Sequence, residues 1–268
     1  MQTFRDRISV VTWVAGLMLA LQPVLIAPAW AFTWYPLGSP LTLIVDRDLI
    51  VGTLLVMVIV GGTQWVLTAW DLPEPHVPFR EGAWALPLAI GWIALRLLPY
   101  QPTPRAWLAF LAGTLLILAL SWHVLAHTAG KAPARWPASF LLRANAFAAA
   151  GTLYLWLYNL GTRSLLSATQ MLVGTYLLAA ALWLETPVPA RLRWLYSLVA
   201  GLIIAQLAWA LKQTPLSPLR AGLILLLLFY IQTAVFERAL LGKLRLRVAL
   251  EYVVTGLVVL VLILTLVP

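Results

Sequence analysis

No cysteine occurs anywhere in the 268 residues. Disulfides, thiolate nucleophiles and Cys-ligated zinc or iron–sulfur centres are therefore excluded. Charge is nearly as scarce: Asp, Glu, Lys and Arg make up 10% of the chain, and only 9 residues are acidic. Three histidines are too few for a His-rich di-iron hydroxylase. The GxSxG and SxxK patterns of serine chemistry, the P-loop and the Rossmann glycine pattern are all absent. Asp6, Asp46, Asp48 and Asp71 are the only aspartates and do not form the paired Asp-rich motifs of an intramembrane prenyltransferase. Adjacent glutamates with matching histidines, as in abortive-infection type membrane proteases, are missing too. Nothing in the sequence calls for a metal or another cofactor.

What the chain has in excess is apolar surface. Hydrophobic residues reach 62% and the mean hydropathy is +0.92, against about 45–50% apolar content in soluble domains. The excess falls into runs of roughly 17 to 24 residues, which as helices match a hydrocarbon layer about 30 Å thick. The expected fold is therefore all-α: a polytopic transmembrane helix bundle of about nine spans, within a range of eight to ten, forming one integral membrane domain over residues 1–268. The spans read as Ile8 to Ala27, Leu49 to Trp70, Gly82 to Leu98, Pro104 to His127, Ser139 to Leu160, Ser164 to Leu184, Leu192 to Leu211, Leu219 to Glu237 and Val248 to Val267. The third is short and contains Pro87. Proline and charge punctuate the intervals, as at Pro73, Pro75 and Pro78 or at Pro187 and Pro189. Ala29, Trp30 and Ala31 resemble a signal-peptidase site, but the preceding apolar run is longer than a cleaved h-region, so an uncleaved anchor is expected. From Pro28 to Arg47, with Trp30, Phe32, Trp34, Tyr35 and the turn-forming Gly38, Ser39 and Pro40, the chain is expected to lie along the membrane surface.

The formal charge of +9 does not indicate nucleic acid, because the basic residues are scattered between apolar runs instead of lining one solvated face. They set orientation instead. With the N-terminus inside, 12 of the 18 Lys and Arg fall on the inner side, which for an odd number of spans puts the C-terminus outside. Many of the 14 tryptophans sit near predicted helix ends, where an amphipathic ring suits the headgroup layer. The lipid bilayer is thus the first partner, with other membrane subunits as a second.

Ionisable groups at membrane depth are costly, so each carries both a functional and a structural reading. His123 and His127 share a helix face, but they lack the Glu of an HExxH motif and His76 is the only further histidine. Together with Arg143, Asn145, Glu237 and Glu251 they fall within about two turns of the inner face, where they define a candidate polar pocket for an anionic headgroup or a proton relay. The plainer alternative is that Arg143 snorkels, Glu237 pairs locally, and Glu251 pairs with Arg247 one turn away. Gln170, Gln206 and Gln232 lie mid-span, as interhelical hydrogen bonds or as a polar translocation path. Asn145, Thr152 and Asn159 recur every seven residues along the fifth span, beside Tyr154 and Tyr158. Gly61, Gly62, Gly113, Gly151 and Gly174 read as close helix contacts.

From Leu37, Gly38, Ser39, Pro40 and Leu41 into the glycine-containing second span, the chain resembles a family of uncharacterised bacterial multi-pass membrane proteins with no assigned activity. Asp46, Arg47 and Asp48 depart from that family's pattern. The resemblance implies a bacterial cytoplasmic membrane and carries over no catalytic residue. The leading expectation is a non-enzymatic scaffold or subunit of a membrane assembly. A transporter or flippase for a small lipophilic or anionic substrate is the alternative. An intramembrane enzyme, with His123, His127, Glu237 and Glu251 as its acid and base groups, is the third reading.

Overall fold

The computed structural model describes residues 3–25, 29–34, 41–68, 81–129, 135–160 and 164–267. Among these, nine α-helices follow one another: α1 (Phe4–Leu21), α2 (Arg47–Thr68), α3 (Ala85–Leu97), α4 (Pro104–Ala129), α5 (Arg135–Asn159), α6 (Ser164–Leu182), α7 (Ala190–Leu211), α8 (Pro218–Leu240) and α9 (Leu246–Leu266). Each corresponds to one expected apolar run. Six of them, α2, α4, α5, α7, α8 and α9, are long and apolar enough to cross a membrane. The apolar stretches of α3 and α6 are shorter.

Helix starts are written in the local sequence. Thr3 and Asp6 form a reciprocal capping box at α1. Asp46 accepts from the Leu49 amide at 2.9 Å to open α2, Thr103 from Ala106 at 3.2 Å before α4, and Ser217 from Arg220 at 3.4 Å before α8. Pro104 and Pro218 occupy first helical positions, where the missing N–H had no partner to lose. The same logic covers Pro87, which falls in the first turn of α3 and so does not break it.

One expectation needs amending. Between α1 and α2, Trp30–Trp34 (β1) and Leu41–Val45 (β2) pair antiparallel, with Trp30 opposite Val45 and Trp34 opposite Leu41. The described fold is thus helical with one two-stranded ribbon. Aromatic and β-branched residues favour this pairing, which also satisfies backbone groups that an irregular segment would leave open. Tyr35, Gly38, Ser39 and Pro40 lie outside the described residues, as do His76, Arg80, Lys131 and Arg163.

Contacts divide the chain into two compact units. The first comprises Met1–Asp71 with Ile90–His123. Within it α1 and α2 run antiparallel: Arg7 donates to the Trp65 carbonyl (2.8 Å) and to the Thr68 hydroxyl (2.9 Å), while at the other end Gln22 reaches Asp48 (3.3 Å). The Trp122 indole N–H donates to Thr63 at 2.8 Å, both side chains being buried. The second unit comprises Leu72–Ala89 with Val124–Pro268. Its interior is built from α5 to α8, with the phenol of Tyr154 on Thr175 (2.9 Å), the Trp183 indole on the Thr233 carbonyl (3.3 Å), and Phe229 between Phe147 and Tyr154. α6 and α7 approach backbone to backbone at Gly201, where a Cβ would stand 2.7 Å from the Leu172 carbonyl oxygen.

Candidate functional site

Two of the six expected inner-face residues meet in an ion pair. Arg143, two turns into α5, and Glu237, in the last turn of α8, are set level by the antiparallel run of these helices. Arg143 donates from Nη1 to Oε2 at 3.0 Å and from Nη2 to Oε1 at 2.7 Å, a bidentate fork. One turn before Arg143, the Ser139 hydroxyl donates to Glu185 Oε1 at 2.5 Å. Glu185 sits in the turn after α6 and is close enough to act on the charge of Arg143.

The site therefore holds one guanidinium, two carboxylates and a hydroxyl, contributed by α5, α8 and the α6–α7 turn. Sequence reasoning missed Ser139 and Glu185. Their signal was present, since Ser139 lies four residues before Arg143 and so shares its face. Glu185, however, falls beyond the end of an apolar run and reads there as an ordinary interfacial charge. The chemical consequence concerns anions: both terminal nitrogens of Arg143 are already committed to Glu237, and a second carboxylate stands nearby. An anionic headgroup would compete with Glu237 for Arg143.

None of the other four expected inner-face residues takes part in this fork. His123 is exposed in the first unit, its ring centroid 6.3 Å from that of Phe4. His127 is half-buried in the second unit. Asn145, on α5, is half-buried as well. Glu251 lines a groove on the exposed surface of α9 with Leu246, Arg247, Leu250, Val254 and Thr255. Gln206 is exposed on α7 and Gln170 is half-buried on α6. Gln232 is half-buried on α8, with both amide atoms sealed from solvent and making no hydrogen bond. Among the described residues, no three His, Asp or Glu side chains converge in a metal-holding group.

A second charged position was read from sequence only as a topological basic residue. Arg193, in the first turn of α7, is wholly buried. Glu81 supplies an opposing charge. The guanidinium lies 5.9 Å from the Trp194 ring, which in turn packs on Trp84 (5.7 Å, 24°) and Tyr176 (5.3 Å). Gly82 leaves room for it, since a Cβ there would sit 3.3 Å from Arg193 Nη2. The turn before α3 is thereby fastened to α7 by charge and stacking. Just past the end of α7, burial pushes the Lys212 amine down, and its Nζ donates to Ser167 at 2.7 Å.

No match was found among curated proteins or solved structures. Residues 26–266 match the family described as "Protein of unknown function (DUF5656)". That interval begins after α1, runs to the end of α9 and contains the Ser139, Arg143, Glu185 and Glu237 cluster, so the chain belongs to this family of unknown function.

Proposed function

We propose that this protein is a non-enzymatic component of a membrane assembly, a scaffold or subunit that crosses the bilayer nine times with its N-terminus inside and presents α9 to a partner helix. The observation that carries the reading is how little of α9 is covered. Only 12% of its most apolar window is buried within the chain, against 28–33% for the other five long apolar helices. Its inward side meets α8 closely, with Gly256 against Ile231. Its outer side shows Leu250, Val254, Leu257, Val261 and Leu264, spaced 4-3-4-3 and each 44–57% exposed. That spacing suits the seam of a helix pair, and Val253, Val258 and Leu262 extend the same exposed apolar surface.

The polar groups support the same reading. Arg143 and Glu237 neutralise each other, so Glu237 is not the spare base or acid that an intramembrane enzyme would need. Glu251 by contrast lies on the outer side of α9, where lipid offers a carboxylate no partner and another helix can.

The absence of cysteine makes the test direct. Leu257→Cys, introduced alone, is expected to cross-link in native membranes through α9, either to a second copy or to a different membrane protein. The product should disappear when Val254 and Val261 are replaced by Trp. If cysteines at Val254, Leu257 and Val261 all leave only the uncross-linked chain, the reading fails.

A further inference from the structure

We propose that the elbow between α8 and α9 is a binding site for the phosphate of an anionic phospholipid. α8 ends in a Schellman motif: Gly242 takes φ +65°, its amide donates to the Ala239 carbonyl (3.0 Å), and the Lys243 amide donates to the Arg238 carbonyl (2.9 Å). This stops the helix sharply, and the three residues that lead to α9 alternate strictly with its first two: Lys243, Leu244, Arg245, Leu246, Arg247. All five side chains are exposed, and so is Arg238 one turn earlier. Leu246, the first residue of α9, is 78% exposed. Leucines interleaved with cations suit the boundary where acyl chains meet headgroups, because each residue type finds its own layer.

Charge decides which lipid. Among the described residues, Arg238, Lys243, Arg245 and Arg247 take part in no ion pair, and the adjacent carboxylate, Glu237, is held by Arg143. The elbow therefore keeps its full positive charge, and each such cation near a membrane surface favours anionic lipid. Beside it runs the groove of Leu246, Leu250 and Val254, which gives an acyl chain an apolar wall below the phosphate. Glu251, which also lines that groove, opposes the anion. The proposal rests on the helices inserting in a membrane; Leu250 and Val254 also belong to the proposed seam, so the acyl chain takes this wall where no partner helix covers it.

The test uses a fluorophore on Val258→Cys, an exposed position one turn deeper than the groove, in the full chain reconstituted into vesicles. Acyl-brominated phosphatidylglycerol or phosphatidylcholine, each at one lipid in five, serves as quencher. Phosphatidylglycerol is expected to occupy the site at least about fivefold more readily. The preference should fall towards unity in the R238Q/K243Q/R245Q variant and in 0.5 M salt with the elbow intact, and should rise with Glu251→Gln. Equal quenching by the two lipids, or a preference that survives both the triple substitution and high salt, overturns the proposal. The salt arm keeps the test decisive even if the triple variant fails to fold.

Discussion

Arg143 and Glu237 illustrate what a charge costs and contributes in an apolar setting. Each would be expensive alone at membrane depth, and the bidentate fork offsets that expense only while both partners remain. Arg143→Leu or Glu237→Leu alone is therefore expected to destabilise the second unit by about 2–3 kcal/mol, read as a loss of thermal stability in detergent. The double substitution should recover most of that loss. Additive losses in the double variant would mean that the two side chains act separately. Position in the sequence made both residues visible as candidates, since each stands near the end of an apolar run. Their mutual contact was not visible, because the partners are 94 residues apart and only the packing of α5 on α8 makes them level.

At the scale of the helix, glycines that look alike in sequence differ in what surrounds them. Gly113 and Gly61 were read as close contacts, yet a Cβ at either meets nothing within 4 Å. Gly201 was not singled out, and there a Cβ would press on the backbone of α6, which cannot rotate away as a side chain can. Gly201→Ala is expected to cost about 1–2 kcal/mol by forcing α6 and α7 apart. Gly113→Ala should be neutral or stabilising by up to about 1 kcal/mol, since alanine orders a helix better. Unfolding of the two variants side by side checks the pair, and a stable Gly201→Ala protein would contradict the close approach. The ribbon of β1 and β2 shows the same limit from the other direction. Trp30, Phe32 and Trp34 alternate as a strand does, but they also fit an interfacial anchor, and only pairing with Leu41–Val45 separates the two.

For the molecule as a whole, the positive-inside bias makes a claim that the cysteine-free background lets one check residue by residue. A single cysteine at Thr214, between α7 and α8, is expected to react with a membrane-impermeant thiol reagent applied from outside. One at Leu244, between α8 and α9, should react only after permeabilisation. Labelling of both from the same side would mean that α8 does not cross, and reversed labelling would invert the orientation. The cluster of Ser139, Arg143, Glu185 and Glu237 then belongs to the inner face, on the same side as the basic elbow.

Composition and the length of the apolar runs determined that this chain is helical and suited to lipid, because a backbone in hydrocarbon must satisfy its own hydrogen bonds and the 62% apolar content falls in runs of spanning length. Prolines likewise announced where several helices begin, since their effect acts within one turn. Tertiary structure alone decided which polar residues became partners: Glu185 joined Ser139, Arg193 was buried beneath Gly82, Gln232 was sealed away, and Glu251 was left outside on α9. Each of these outcomes depends on which face of a helix another helix happens to cover. A uniformly apolar helix carries almost no signal of that choice, because every one of its faces is equally fit to be buried.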